Sequence, residues 1–441
     1  MLAPILTTCA VPTLDTAMLA APYTMLLDSA PGHPLAQRSL LARHPFQVVV
    51  VWGQHSRIYT ADGEREEWGD PWALMQRLVA PYRQATDERH PCPGGVVGYV
   101  GYDLARLAVP LSDQPDLIGL PDAVFCFYRD VICWRTGDSV AWHGRAANAP
   151  TSVVAPPLDL PLLQPAPAVS LDRAKYMARV ERVLAYIAAG DIYQANLTIQ
   201  MRQTTRWTAA ELYARLRERT NAPFSAYLNL SGAALLSASP ERFLHCTPTG
   251  GVETRPIKGT RPRGITPTHD AALAAELGAD EKERAENLMI TDLLRNDIGQ
   301  VCAIGSVRVP ALWQVETFPT VHHLVSTITG QLAAGKTAWD LLRACWPGGS
   351  ITGAPKRRAM AIIAELEPVR RGPYCGTIGY WSFDGGMDTS IVIRTLIQRH
   401  NTVMWGVGCG IVADSDPAAE YAEAMLKAAA LREALGVRVR R

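Results

Sequence analysis

The chain has 441 residues, 48% of them hydrophobic and 19% charged, which supports a sizeable core and excludes long disorder. With 43 basic and 42 acidic residues the net charge is +1. No global field attracts nucleic acid or a membrane surface, so an anionic ligand needs a local site.

The nine cysteines form no Cys-x-x-Cys pair, which argues against a zinc site or disulfide framework and fits a reducing cytoplasm. Met1 to Ala21 is mildly apolar but lacks a basic start and is interrupted by Pro4, Pro12 and Asp15, so no signal peptide is expected. No apolar stretch reaches the roughly 18 residues of a membrane helix. Phe46–Trp52 reads as a strand. Gly94-Gly95-Val96-Val97-Gly98-Tyr99-Val100-Gly101 reads as a bent strand with close backbone packing, not a phosphate loop. Asn148 to Ala168 carries Pro150, Pro156, Pro157, Pro161, Pro165 and Pro167 and predicts an extended connector.

Beyond the connector, Tyr176, Met177, Val180, Leu184 and Ile187 recur at helical spacing, and Thr208 with Glu211 forms a capping box. Strands are predicted at Ser225–Leu230, Ala234–Ser237, Gly379–Phe383, Thr389–Leu396 and Val403–Val407. Turns at Asp384-Gly385-Gly386 and Arg399–Thr402 would join the last three into one antiparallel meander. A final helix starts at Asp416-Pro417 and ends at Gly436. Hairpins with separate helices predict an α+β fold.

Several residues carry possible chemistry. Lys258 stands between Pro256 and Gly259, which restrict and free the backbone beside it, so its amine can be aimed as a nucleophile. Most lone lysines of this kind are merely solvated. Glu283 with Glu286, and Glu420 with Glu423, put two carboxylates on one face of each of two helices. Brought together they would make an oxygen cage suited to Mg²⁺; apart, they are solvated faces paired with neighbours such as Arg284 and Lys427. Glu241 follows an apolar strand, a good place for an acid, or for a salt bridge with Arg242. His322 and His323 point to opposite faces if they lie in a strand. Arg394, inside an apolar strand, needs a partner if buried. Gly406, Gly408 and Gly410 would leave one strand face bare for a ligand.

Seven runs, taken in order, carry a resemblance: Asp191–Leu197, Ser239–Phe243, Arg255–Thr260, Glu283–Asp297, Gly353-Ala354-Pro355-Lys356, Met387–Ser390 and Gly410–Ser415. Together they resemble the chorismate-utilising enzymes, the family of anthranilate, aminodeoxychorismate, isochorismate and salicylate synthases. The resemblance is strongest from Leu171 to Lys427. It implies an α/β/β/α sandwich of two packed, largely antiparallel sheets with outer helices. It divides the chain into an N-terminal region, 1–165, and a chorismate-binding region, 166–441, in one intertwined unit. It implies Mg²⁺ at Glu283, Glu286, Glu420 and Glu423, with Glu286 and Glu423 as direct ligands. Tyr374, Arg394, Gly408 and Lys427 match positions at or beside the enolpyruvyl carboxylate, and Ser350 a small hydroxyl near the substrate. His323 matches a histidine near the leaving hydroxyl, and Glu241 the acid that protonates it.

Two positions discriminate within the family. Anthranilate-forming members usually carry alanine where Lys258 stands; a lysine resembles the branch that aminates chorismate at C4 through a covalent adduct at C2. Gln194 stands where water-using members place a lysine base, which implies ammonia as the nucleophile. The ammonia would come from a separate glutamine amidotransferase subunit. The product would be 4-amino-4-deoxychorismate, a precursor of p-aminobenzoate and folate. The alternatives are anthranilate formation and a non-catalytic subunit binding chorismate or tryptophan. Leu26-Leu27-Asp28-Ser29 resembles the family's tryptophan-pocket segment, which makes tryptophan a candidate ligand.

Overall fold

The computed structural model describes residues 5–30, 35, 38–86, 92–146, 149–150, 155–220, 222–318 and 321–437. Its central strands read as continuous apolar runs because both of their faces are buried. In Gln47–Trp52, Val49 and Val51 enter a core shared with the helices Pro71–Val79, Glu281–Gly299 and Ala338–Cys345. Val48 and Val50 point the other way, into a layer between two sheets. The second sheet repeats the pattern. Leu228 and Leu235 face the shared layer, whereas Tyr227 and Leu236 meet the helices Arg173–Ala188, Ala209–Arg219, Lys356–Leu366 and Pro417–Ala434. The result is the expected sandwich: helices, sheet, sheet, helices.

The sheets have 12 and 11 strands, and paired strands run antiparallel. Each contains strands from both ends of the chain. Met25–Asp28 pairs with Phe224–Asn229 in one, and Gly95–Val100 with Thr377–Ser382 in the other. Within Gly95–Val100, a Cβ on Gly98 would lie 2.0 Å from the Val124 carbonyl oxygen, the close packing its glycines predict. Residues 148 and 151–154 of the proline-rich connector lie outside the described residues. From 155 to 168 it has no helix or strand and is pinned to the 11-stranded sheet: Leu158 N–H donates to Ser231 O at 2.8 Å and Arg202 N–H to Ala168 O at 2.8 Å.

The predicted three-strand meander is wrong. Thr377–Ser382 and Met387–Ile391 form a hairpin in the 12-stranded sheet, whereas Thr395–Arg399 and Thr402–Ile411 form a separate hairpin in the 11-stranded sheet. Between them the chain crosses from sheet to sheet, and Arg394 takes a left-handed φ of 52°. The crossing has no glycine or proline, so the β-branched run reads as one strand when it is two.

Candidate active site

Lys258 lies on the edge strand Ile257–Pro262, which pairs with Val321–Gln331. Register is Lys258 with Leu324 and then Thr260 with His323, so Gly259 is an extra residue, a β-bulge. Its φ is 74°, and an added Cβ would lie 2.8 Å from Leu277 Cδ1 and 3.0 Å from Glu283 Cδ. Glycine is required both for the backbone turn and for the approach of the acidic helix. The lysine is therefore aimed: its side chain is 14% exposed and its Nζ sits 3.4 Å from Glu286 Oε2.

The two acidic helices converge on this amine. Glu283 and Glu286 lie on Glu281–Gly299, and Glu420 and Glu423 on Pro417–Ala434. Lys258 interacts electrostatically with Glu241, Glu283 and Glu423 as well as with Glu286. Burial, followed by the neighbouring Glu286 and Asp280, pushes the Glu283 carboxyl up. For Glu423, burial acts upward, but Lys427 at 2.7 Å, Cys409 and Lys258 together outweigh it and the carboxyl is held down. Glu420 Oε1 accepts from Ser415 Oγ at 2.6 Å, while its buried Oε2 has no protein partner. Arg284 does not join this group; its guanidinium lies over the Trp313 ring at 4.1 Å.

Ligand-type atoms of Cys409, Glu420 and Glu423 lie within 4.8 Å of one another. Burial pushes the Cys409 thiol well up, and its soft sulfur is in any case a poor match for a hard cation. The remaining donors are carboxylate oxygens, one of them unpartnered, and this set fits a hard cation such as Mg²⁺. Glu286 and Glu423, the expected direct ligands, are each ion-paired to a lysine here.

Glu241 follows the strand Ala234–Ser239 and is buried. Burial raises its carboxyl to about 7, against a hydrogen bond from Ser350 and the charge of Lys258. The salt bridge with Arg242 does not form, because Arg242 pairs with Asp388 at 2.8 Å and Glu253 at 3.0 Å. The two histidines do face opposite ways. His322 is buried and meets Asp270 at 2.9 Å, whereas His323 Nδ1 lies 2.9 Å from Thr260 Oγ1 on the site side. Burial lowers His323 to about 4, and nearby Arg394 and His322 add to this against a hydrogen bond to the Gly259 backbone. It is therefore a neutral imidazole above about pH 5.

Arg394, within electrostatic reach of His323 and Lys427, lies at the sheet crossing, not in mid-strand. It has no carboxylate partner among the described residues, and burial lowers its pKa against the influence of Tyr374. A buried guanidinium without a counter-ion suits a carboxylate ligand. Lys427 Nζ, nearby, donates to Gly408 O at 3.1 Å.

The three glycines do not leave one bare face. A Cβ on Gly406 would overlap the Tyr374 ring, 2.2 Å away, and one on Gly408 the Leu197 carbonyl oxygen, also at 2.2 Å. Only Gly410 faces the site: its Cβ would lie 3.0 Å from Gln194 Nε2 and 3.3 Å from Lys258 Nζ. Gln194 is fully buried there with both amide atoms unpartnered by protein.

Of the residues singled out from the sequence, Glu241, Glu283, Glu286, Glu423 and Gly410 thus lie around Lys258, whereas Arg284, His322, Gly406 and Gly408 are turned to other partners. Thr260 and Ser415, which end two of the matching runs, and Cys409, which carries no such signal, complete the surroundings, and the roles of all three depend on strand register and helix packing. The segment Leu26–Ser29 lies apart, beside a cavity of about 350 Å³ between the sheets that Ser39, Arg242 and His245 also line. Asp28 there is buried and already held by Arg217, by Tyr213 OH at 3.3 Å and by Ser39 Oγ at 3.2 Å.

Similarity to known proteins identifies the family. The chain is 41% identical over 416 residues to aminodeoxychorismate synthase component 1 of Escherichia coli, covering 91% of each chain. It is 40% identical over 439 residues to anthranilate synthase component 1 of Thermus thermophilus, covering 94% of this chain and 92% of that one. The crystal structure of anthranilate synthase component I from Streptococcus pneumoniae superimposes with a TM-score of 0.78 at 30% identity, covering 92% of this chain and 93% of that one. Residues 35–433 match the family of chorismate binding enzymes, and to that family the chain belongs.

Proposed function

We propose that the protein aminates chorismate at C4, giving 4-amino-4-deoxychorismate, through a covalent adduct on Lys258. The observation that carries this reading is the aimed amine, 3.4 Å from Glu286 and within electrostatic reach of Glu241. Relatives of both product types are about equally similar, so overall identity does not choose between them. The choice rests on Lys258.

Once its ion pair with Glu286 opens and its proton passes to solvent, the Lys258 amine attacks C2 and forms a C–N bond as both ring double bonds shift and the C4–O bond breaks. Glu241 gives its proton to that oxygen, which leaves as water. Ammonia then attacks C4, both double bonds shift back, and the C2–N bond to Lys258 breaks. The new ammonium returns a proton to Glu241, leaving a neutral amine and closing the proton balance. The adduct divides one difficult displacement into two easier ones.

Arg394, Tyr374 and Lys427 would hold the enolpyruvyl carboxylate, with the Gly408 backbone beside it. Ser350 would orient Glu241, and neutral His323 would hydrogen-bond near the leaving hydroxyl. Gln194, which cannot act as a base at neutral pH, leaves ammonia rather than activated water as the nucleophile. Glu283, Glu286, Glu420 and Glu423 would hold Mg²⁺, which when bound supplies positive charge for the ring carboxylate. The ammonia would be delivered by a glutamine amidotransferase subunit. Tryptophan is the proposed occupant of the cavity beside Asp28, and calorimetry showing no binding would remove it.

Intact-protein mass spectrometry of a stalled reaction with chorismate tests the central claim. The native chain should gain a chorismate-derived mass that Lys258→Ala does not. With ammonia and Mg²⁺, the aminated C4 product should dominate. Anthranilate fluorescence as the main signal would overturn the reading in favour of anthranilate formation.

A further inference from the structure

Behind the wall that faces Lys258 lies a second buried ion pair. Arg371 is 1% exposed and Glu367 5%. Buried pairs are expensive to desolvate and are often replaceable by apolar residues without loss of stability. A pair whose remaining donors are spent on particular backbone atoms holds those atoms in place, whatever its net effect on stability.

The partners of this pair are specific. Arg371 Nε donates to Glu367 Oε2 at 2.9 Å, and Nη2 to Glu367 Oε1 at 2.7 Å. Nη1 reaches Ile351 O at 2.9 Å, the residue after Ser350. Nη2 also reaches Asn196 O at 2.6 Å, two residues beyond Gln194. Glu367 Oε1 accepts from Thr198 N–H at 2.9 Å and Thr198 Oγ1 at 2.8 Å, and Thr198 is the strand partner of Gly408.

Arg371 also begins the short loop that presents Tyr374. The N-terminal region supports this loop from outside: the Tyr102 ring lies 4.5 Å from the guanidinium carbon, and Asp103 Oδ2 accepts from Gly372 N–H at 2.7 Å. One guanidinium therefore joins the segments bearing Ser350, Gln194 and Tyr374. None of its bonds goes to the cavity around Lys258.

We propose that Arg371, fixed by Glu367, is a positioning residue for chorismate turnover: it sets Ser350, Gln194 and Tyr374 relative to one another and so tunes the environment of Glu241. This rests on the reading of Glu241 as the acid. It predicts a signature that simple destabilisation does not produce. Ser350's hydrogen bond favours the Glu241 carboxylate, so loosening Ser350 lets the proton bind more tightly.

The experiment compares pH profiles of kcat for the native chain, Glu241→Gln, Arg371→Lys and the apolar double variant Glu367→Leu/Arg371→Met, with chorismate, ammonia and Mg²⁺. Lysine keeps the charge but cannot reach four acceptors in a planar fork. The double variant removes the ion pair while filling its volume, which covers the case in which Arg371→Lys fails to fold. Glu241→Gln should abolish the alkaline limb seen in the native profile; if the limb persists there, the reading of Glu241 fails, not the role of Arg371. With that control met, the folded Arg371 variants should lose about 10- to 100-fold in kcat/KM and shift the limb to higher pH. A changed melting temperature with native kcat and an unmoved limb would reduce the pair to a structural one and overturn the proposal.

Discussion

Glu241→Gln tests the assignment of the acid in two independent ways. Burial places the Glu241 carboxyl at about 7 in the folded chain, against an ordinary value of 4.5. An acid with that pKa is protonated in about half the molecules at pH 7, about a tenth at pH 8 and about a hundredth at pH 9. Turnover should therefore fall about tenfold per pH unit above pH 8, and Glu241→Gln should keep only a small residual turnover that lacks this fall. The second effect concerns stability. A group whose folded pKa is raised binds its proton more tightly in the native state, so its contribution is fully present below about pH 4.5 and is lost as pH rises through 7. The difference of about 2.5 units corresponds to roughly 3 kcal/mol between the two limits. Glutamine carries no charge and avoids that loss. Thermal melts at pH 5 and pH 8 should show the Glu241→Gln chain gaining on the native chain as pH rises, up to that order. If the two melting curves keep a constant separation over this range, the buried, proton-holding carboxyl is wrong. An alkaline limb in turnover would then need another group.

Other substitutions probe the rest of the site. Gly410→Ala adds a methyl 3.0 Å from Gln194 Nε2 and 3.3 Å from Lys258 Nζ at a position with no positive φ. It should cut kcat/KM by about tenfold or more through displaced side chains, with a melting temperature close to native; unchanged kinetics would mean the amine is not confined as described. Arg394→Met removes a buried cation without a carboxylate partner, so KM for chorismate should rise about 10- to 100-fold. Its melting temperature should hold or rise, and an unchanged KM would place the carboxylate elsewhere. Mg²⁺ without substrate should raise the melting temperature of the native chain by mass action, and Glu420→Gln should diminish that rise. An equal rise in both proteins would remove Glu420 from the metal site.

Much of this arrangement is legible in the sequence because the relevant signals are local. The capping box at Thr208 and Glu211, the start of the last helix at Asp416-Pro417 and the turn at Asp384-Gly385-Gly386 each depend on a few adjacent residues, and each forms as its sequence predicts. The same holds for the spacing that puts Glu283 beside Glu286 on one helix. The crossing at Arg394 was not legible, because its departure from strand geometry is imposed by two sheets competing for one β-branched run. Nor were the uses of Gly406 and Gly408, since the Tyr374 ring and the Leu197 carbonyl that fill their open sides come from distant segments.

Lys258 shows where the boundary lies. Its flanking proline and glycine were visible, and they say that the backbone there is special. They do not say in which direction the amine points. Direction comes from the bulge at Gly259, which breaks the register against Val321–Gln331 and lets the helix bearing Glu283 close to 3.0 Å of where a side chain would be. The same glycine therefore aims the nucleophile and admits the acidic helix. A substitution at Gly259 should thus disturb two functions at once, whereas one at Gly410 should disturb the amine and Gln194 but leave the acidic helix in place. Comparing the Mg²⁺-dependent rise in melting temperature of Gly259→Ala with that of Gly410→Ala separates the two: only the first should lose it. If both keep it, the acidic helix does not depend on the bulge, and the coupling of nucleophile to metal site through Gly259 is refuted.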